Sequence, residues 1–286
     1  MSKLNIRLNK LKGKSVIKKL VIPSIIIYTM LFLSTHFFLE KLIMWPRKQS
    51  IEVTSLAMQE GRIENIELQM KDNTVLRGWF VKNSNSKKSN LLIYFGANAE
   101  ELSGVIYKMS KLDKWSIALI NYRGYGMSEG TAAETTLYSD SEEIYNYFSS
   151  REDVNKSNIV VMGRSIGTGV ATYLAETRNT SAVILVSPFD SLVSVVQEKC
   201  PILPAKLILS HKYDSIGRAP SIKQPLLILV GSEDILIPTW HSNRLKEAWG
   251  GEVFYEELSG EGHNSIDDGE VYINKIKAFL SKHESL

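Results

Sequence analysis

The sequence predicts an α/β fold, in which helices cover both faces of a mostly parallel sheet of about eight strands. Three observations predict it: several short apolar runs, longer helix-like stretches between these runs, and an alternating pair of segments ahead of them. Strands that are apolar on both faces are typical of parallel sheets buried between two layers of helices. With 286 residues, 44% of them hydrophobic, the chain can build one substantial core.

The predicted strands begin with a hairpin at residues 63–70 and 74–81, whose alternating pattern is interrupted by the polar turn 71–73. An antiparallel hairpin that leads into parallel strands gives a mixed sheet. The apolar runs that follow predict six more strands, at 91–95, 116–120, 158–162, 182–186, 225–230 and 253–255. Helices are predicted between them at about 99–112, 134–148 and 168–176.

An apolar segment near the N-terminus follows a basic one. Residues 1–19 hold seven lysine and arginine residues and no acidic residue, whereas residues 20–39 contain no charged side chain. Twenty helical residues span about 30 Å, which is the hydrocarbon thickness of a bilayer. We therefore predict a single transmembrane anchor at 20–39, with the N-terminus in the cytoplasm and the rest of the chain on the far side.

Two other interpretations of this segment stay open. A buried core helix would not be flanked by lysines on one side only. A cleaved signal peptide is the stronger rival, but the run exceeds the usual hydrophobic region of about 7–15 residues and lacks an A-x-A-like site. The predicted organisation is a basic segment at 1–19, the anchor at 20–39, a connecting segment at 40–61 and the α/β domain at 62–286.

Charge and cysteine content exclude two classes of function. Without the seven N-terminal basic residues the net charge of +3 becomes −4, so no basic face for a nucleic acid is predicted. Cys200 is the single cysteine, which excludes an intramolecular disulfide framework and a cysteine-based zinc cluster. We expect Cys200 to be a small buried or half-buried apolar side chain. No metal ion or cofactor is predicted.

The segment Gly163-Arg164-Ser165-Ile166-Gly167 predicts a nucleophile on a sharp turn. It directly follows the apolar run 158–162 and precedes the helical stretch 168–176. A serine at such a strand-to-helix junction projects its hydroxyl above the sheet, and the flanking glycines avoid collisions within the tight turn. The pentapeptide alone is a weak indication, and its position between a strand and a helix strengthens it.

A serine hydroxyl is a poor nucleophile near neutral pH, so it needs a base and a group that orients the base. The chain order expected for this arrangement is Ser, then Asp or Glu, then His. His263 lies in a glycine-rich loop after the last predicted strand and is the expected base. Asp234 directly follows the strand at 225–230 and is the expected acid, while Asp190, after the preceding strand, is the competing candidate.

An oxyanion hole requires two backbone N–H donors that point at the developing negative charge. One is expected from Ile166, the residue after the nucleophile. The other is expected from the loop 96–100, which follows the strand at 91–95 and consists mainly of small residues.

Ordered blocks of the sequence resemble a known family. They are residues 94–100 (YFGANAE), 121–130 (NYRGYGMSEG), 163–167 (GRSIG), 187–191 (SPFDS), 231–234 (GSED) and 262–264 (GHN). Together they resemble the α/β-hydrolase superfamily, and within it the membrane-anchored, bud-emergence-protein-like α/β-hydrolase-domain serine hydrolases. The resemblance extends from about residue 60 to the C-terminus.

The resemblance implies that Ser165, Asp234 and His263 form a catalytic triad and that the Asn98 backbone supplies the second oxyanion donor. Two departures from the family pattern concern neighbouring positions. Many relatives carry His-Gly-Asn-Ala where this chain has Gly-Ala-Asn-Ala at 96–99, and Asn-Asp where this chain has Asn-Ser at 264–265.

The predicted function is hydrolysis of an acyl ester or thioester through an acyl-enzyme, on a substrate presented at or near the lipid bilayer. A serine peptidase of prolyl-oligopeptidase type shares the triad order, but the sequence has no repeated strand block for a propeller domain. A non-catalytic membrane adaptor with the same fold is a third hypothesis. The segment 190–223 is the candidate cap, and its apolar stretch 201–209 either lines an acyl pocket or packs on the domain.

Overall fold

The chain forms one eight-stranded sheet in a computed structural model that describes residues 21–30, 32–38, 43–48, 62–82, 87–112 and 114–284. The predicted basic segment 1–19 and most of the predicted connecting segment 40–61 lie outside these residues.

The sheet is mixed and mostly parallel, which confirms the prediction. Its strands are β1 (Ile63–Gln69), β2 (Val75–Val81), β3 (Ser89–Phe95), β4 (Trp115–Ile120), β5 (Val154–Arg164), β6 (Ala182–Val186), β7 (Leu226–Gly231) and β8 (Val253–Leu258). Their order across the sheet is β1-β2-β4-β3-β5-β6-β7-β8. β1 and β2 form the antiparallel hairpin, β2 is also antiparallel to β4, and all other neighbours are parallel.

The helix α1 (Val21–Phe38) precedes the sheet in the chain, and most of its described side chains are exposed. The helices that cover both faces of the sheet are α2 (Ile106–Ser110), α3 (Glu134–Ser149), α4 (Ile166–Thr177), α5 (Leu192–Lys199), α6 (Ala205–Ile208), α7 (Ser215–Arg218), α8 (Thr239–Ala248) and α9 (Glu270–Lys282). Because side chains alternate along a strand, β3 contributes to two separate cores. Leu91 and Ile93 pack with residues of α3 and α4, whereas Leu92 and Tyr94 pack with residues of α2 and α9.

The helix predicted at 99–112 is wrong in its first part. Residues 97–101 form a loop, followed by a 3₁₀ turn at Leu102–Val105 and the short helix α2. The backbone N–H of Ala97 donates to the Glu100 carboxylate at 2.7 Å, and Ala99 adopts a positive φ of 58°. These local contacts hold the chain in a turn and delay the start of the helix, an effect that apolar spacing does not reveal.

Among the described residues, one helix is long and apolar enough to cross a membrane. It is α1, with 18 residues and a mean hydropathy of 1.7. Its length and composition agree with the predicted anchor, although a signal sequence has the same properties. After α1, Met44 is buried in the core, and the Arg47 carbonyl accepts the Gly126 N–H at 2.7 Å. The described part of the connecting segment therefore packs on the domain.

The prediction that Cys200 is buried or half-buried is wrong, because its side chain is exposed. Cys200 is the residue at which α5 ends, and its φ and ψ of −134° and 73° have left the helical region. Its side chain thus falls outside the helix face that packs on the domain, and the next two residues, Pro201 and Ile202, are also exposed.

Candidate active site

The serine of the elbow lies on a strained turn between β5 and α4. Ser165 has φ 52° and ψ −118°, a conformation that costs a residue with a side chain about 1–3 kcal/mol. A Cβ on Gly163 would overlap the Gly167 carbonyl, and a Cβ on Gly167 would overlap the Phe95 carbonyl. Both glycines are therefore required by close backbone approach, and the surrounding packing maintains the strain at Ser165.

The structure brings the three predicted side chains into one hydrogen-bonded chain. His263 Nε2 lies 3.0 Å from Ser165 Oγ, and His263 Nδ1 lies 2.8 Å from Asp234 Oδ2. Asp234 follows β7 and His263 follows β8, so the parallel sheet brings both to the edge at which Ser165 follows the end of β5. Ser165 itself is only 8% exposed, so its hydroxyl is largely shielded from bulk water.

Backbone donors fix the carboxylate of Asp234. Its Oδ1 accepts the N–H groups of Leu236 at 3.0 Å and Ile237 at 2.8 Å, which leaves Oδ2 for His263. Burial raises the pKa of this carboxyl, whereas the hydrogen bonds from His263 and Ile237 lower it. Together the hydrogen bonds outweigh burial, and the pKa lies below its ordinary value. An ionised Asp234 can only accept, so His263 carries its proton on Nδ1 and presents Nε2 to Ser165 as an acceptor.

The competing acid, Asp190, lies in a different cluster. Its Oδ1 is 2.7 Å from Nδ1 of the buried His241 on α8, and its Oδ2 accepts from Arg244 at 2.5 Å. His241 Nε2 is 3.0 Å from Glu198 at the end of α5, so this cluster joins the cap to the sheet. The geometry therefore separates Asp190 from His263.

The two predicted oxyanion donors lie on separate elements, one at the start of α4 and one in the loop after β3. Ile166 is the first residue of α4, where an N–H has no acceptor within the helix and the helix dipole favours negative charge. Asn98 lies in the loop after β3, and its side-chain oxygen accepts the Trp45 N–H at 2.8 Å and the Tyr125 hydroxyl at 3.0 Å. The connecting segment thus helps to position the loop that carries the second predicted donor.

Arg164 is a half-buried residue that the sequence interpretation did not assign. Its guanidinium donates to Glu100 at 3.1 Å and to the His263 carbonyl at 3.2 Å, and it pairs with Asp267 at 3.2 Å. Glu100 in turn accepts the Ala97 N–H and the Tyr94 hydroxyl at 2.9 Å. Arg164 therefore connects the predicted oxyanion loop to the histidine loop. The only indication of this role in the sequence is that a charged residue ends a buried apolar strand.

This arrangement has the components of nucleophilic acyl transfer: a hydroxyl on a strained turn, an imidazole acceptor, an ionised carboxylate and a helix N-terminus beside the hydroxyl. In the described part of the chain, no group of three or more His, Cys, Asp or Glu side chains is placed to hold a metal ion.

Comparisons with known proteins identify relatives of similar length. A family model described as the alpha/beta hydrolase fold matches residues 95–207. An uncharacterized protein of Mycobacterium tuberculosis is 30% identical over 250 residues, which cover 85% of this chain and 87% of the relative. The alpha/beta hydrolase domain-containing protein WAV2 of Arabidopsis thaliana is 29% identical over 244 residues, covering 77% of this chain and 79% of the relative.

The fold is also found among solved structures. An esterase of Pyrococcus furiosus superposes with a TM-score of 0.62 at 15% identity, over 84% of this chain and 96% of the esterase. At this level of identity the likeness concerns the fold alone.

Proposed function

Because the chain belongs to the α/β-hydrolase superfamily, we propose that it is a membrane-anchored serine hydrolase that cleaves acyl esters or thioesters through an acyl-enzyme. The observation that carries the proposal is the hydrogen-bonded chain from Ser165 through His263 to Asp234 at a strained elbow. Strain of this kind persists where function requires it.

In the acylation step, Ser165 Oγ attacks the carbonyl carbon of the substrate while its proton passes to His263 Nε2. Asp234 stabilises the imidazolium that forms and keeps the ring in the orientation that the 2.8 Å contact imposes. The carbonyl oxygen becomes an oxyanion, which the N–H groups of Ile166 and Asn98 receive. His263 then gives its proton to the leaving oxygen or sulfur, and the carbon–oxygen or carbon–sulfur bond breaks to release an alcohol or thiol.

In the deacylation step, water takes the place of the leaving group. His263 Nε2 removes a proton from the water, whose oxygen attacks the acyl carbon of the Ser165 ester. The second oxyanion collapses, the bond to Ser165 Oγ breaks, and the serine recovers its proton from His263. The products are a free carboxylic acid and the original enzyme.

Three features favour an acyl substrate near a membrane. The helix α1 is long and apolar enough to serve as an anchor, and Trp45, seven residues after it, contacts the loop of Asn98. The described residues of the domain form one sheet with its helices, with no second domain that would sort peptides. The candidate cap, residues 190–223, carries exposed apolar side chains, which suit a protein that acts at a lipid surface.

The test uses full-length protein in detergent, as wild type and as Ser165→Ala, with p-nitrophenyl esters from two to sixteen carbons, an acyl thioester and peptide anilides. We expect ester turnover that peaks at chains longer than acetate and falls by roughly 10⁴- to 10⁶-fold in Ser165→Ala. Faster cleavage of the peptides would favour the prolyl-oligopeptidase type, and absence of turnover with every substrate would favour the non-catalytic adaptor.

The topology is proposed from the seven basic residues before position 20. We place the N-terminus in the cytoplasm and the α/β domain across the membrane. Protease added to intact cells or spheroplasts should then digest the domain. Digestion only after lysis would reverse the orientation.

A further inference from the structure

The domain covers one face of the last two turns of α1. Phe32, Thr35 and His36 are half-buried, at the i, i+3, i+4 spacing of a single helix face, while Phe37 and Phe38 are exposed. His36 Nδ1 lies 2.6 Å from the carbonyl oxygen of Ile208 at the end of α6. The segment between β6 and β7 that carries α5, α6 and α7, here called the cap, is therefore seated beside the end of the helix.

This contact sets the depth of the cap relative to a bilayer. Phe32 and Phe38 are six residues apart, which is about 9 Å along a helix axis. The polar headgroup region of one leaflet is about 5–8 Å thick, given the overall and hydrocarbon thicknesses of a bilayer. An α1 of 18 residues is about 27 Å long, close to the hydrocarbon thickness, so a surface that contacts α1 from Phe32 onward reaches past the headgroups into the leaflet when α1 spans the membrane.

The outward side of the cap at this place is apolar. Ile202, before α6, is 97% exposed, and Leu207, on α6, is 76% exposed. The opposite side of α6 packs in the core through Ala205 and Ile208, so the helix presents its other face outward. Lys206 is also exposed. Apolar side chains beside a lysine are the composition of helices that lie in a membrane interface.

The apolar surface continues toward the candidate active site. Lys199 is the last residue of α5, and its ammonium group donates to the Ile235 carbonyl at 2.8 Å. This contact brings the cap next to the loop after Asp234. On that loop Ile235 is 86% exposed and Leu236 is 49% exposed. Because Asp234 is bonded to His263, this apolar loop directly follows the candidate triad.

We propose that Ile202 and Leu207 of the cap, with Ile235 and Leu236, form a lipid-docking surface. In this arrangement the surface enters the leaflet that holds the C-terminal end of α1, and Lys206 contacts lipid phosphate. The approach to Ser165 then faces the acyl chains of the bilayer. The structure favours a bilayer as the occupant, because the surface is continuous with a helix of membrane-spanning length. The inference rests on the proposed membrane-anchored hydrolase.

The exposed single cysteine provides the probe. Cys200, two residues from Ile202, is labelled with the fluorophore NBD in the full-length chain reconstituted into phosphatidylcholine nanodiscs. Nitroxides placed on the headgroup or at carbon 5 of the acyl chain should quench the fluorescence more strongly than nitroxides at carbon 12. The double variant Ile202→Glu/Leu207→Glu should lose at least half of the quenching, whereas Val271→Glu, at an exposed apolar position on α9, should not.

Activity gives an independent readout. The double variant should hydrolyse a long-chain ester embedded in vesicles about tenfold more slowly than wild type, and a soluble short-chain ester at an unchanged rate. Equal quenching in wild type and double variant would overturn the docking surface. Absence of quenching in labelled wild type would overturn it too, and disulfide cross-linking of the unlabelled protein through Cys200 would then identify an interface between two copies. Quenching without hydrolysis of the short-chain ester would retain the surface and refute the proposed function.

Discussion

Asp234→Asn tests the candidate site at a side chain whose two oxygens both have fixed hydrogen-bond donors. Asp234 Oδ1 accepts two backbone N–H groups, from Leu236 and Ile237, and Oδ2 accepts from His263. An asparagine at this position must turn its carbonyl oxygen toward the two backbone donors, because its amide nitrogen cannot accept from them. Its NH₂ group then faces His263 Nδ1.

This orientation forces the wrong tautomer on the histidine. An NH₂ donor opposite Nδ1 requires Nδ1 to be the acceptor, so the proton of the neutral ring moves to Nε2. A protonated Nε2 cannot take the proton of Ser165, although the hydrogen-bond distances are kept. We expect kcat/KM for a short-chain ester to fall by about 10⁴-fold, as an Asp-to-Asn change does in such triads. This corresponds to about 5 kcal/mol of transition-state stabilisation.

The assay compares kcat/KM on p-nitrophenyl butyrate for wild type, Asp234→Asn and the matched control Asp190→Asn, with circular dichroism to verify folding. Asp190 is an equally buried carboxylate bonded to a histidine, but its partner is His241. The control should lose less than tenfold. A folded Asp234→Asn within tenfold of wild type, or a larger loss in Asp190→Asn, would refute the assignment of the acid.

Three further predictions follow from the packing around the site. Arg164→Met should lower kcat by roughly 10–100-fold with little change in KM, because the oxyanion and histidine loops lose their common donor, and Arg164→Lys should restore part of kcat. Asp190→Asn should lower the free energy of unfolding in urea by about 3 kcal/mol at pH 6. Burial raises the pKa of Asp190, but His241 and Arg244 lower it below its ordinary value of 3.8, so this difference should shrink as the pH falls below that value. An equal difference at pH 6 and pH 3 would contradict this reasoning. Gly163→Ala should cost about 1–3 kcal/mol and lower Tm by roughly 2–12 °C, whereas Gly104→Ala, whose Cβ would meet no atom within 4 Å, should leave Tm unchanged.

The number and type of strands could be predicted because burial on both faces leaves a local pattern. The run at 182–186 gives β6 with identical limits, and the hairpin gives β1 and β2 within one residue at each end. The order of the strands could not be predicted in the same way. In the sheet β3 lies between β4 and β5, so β2 pairs with β4 and not with β3. This order depends on how the connections cross the sheet, which apolar spacing does not encode.

The residues of the candidate site could be predicted where they follow a strand, but not where they depend on contacts distant in the sequence. Ser165, Asp234 and His263 each follow a predicted strand, so a parallel sheet was expected to collect them at one edge. The role of Arg164 could not be inferred, since its partners Glu100 and His263 are 64 and 99 residues away along the chain. Likewise, the contact of Trp45 with Asn98 joins the connecting segment to the domain across 53 residues.

The most direct test of the account is covalent trapping of Ser165. Full-length protein is treated with a fluorophosphonate, digested, and mapped by mass spectrometry, in parallel with Ser165→Ala and Asp234→Asn. We expect one adduct, on the peptide that contains Ser165, absent from Ser165→Ala and formed far more slowly in Asp234→Asn. Folded wild-type protein that acquires no adduct, or acquires it on another residue, would contradict the assignment of Ser165 as the nucleophile.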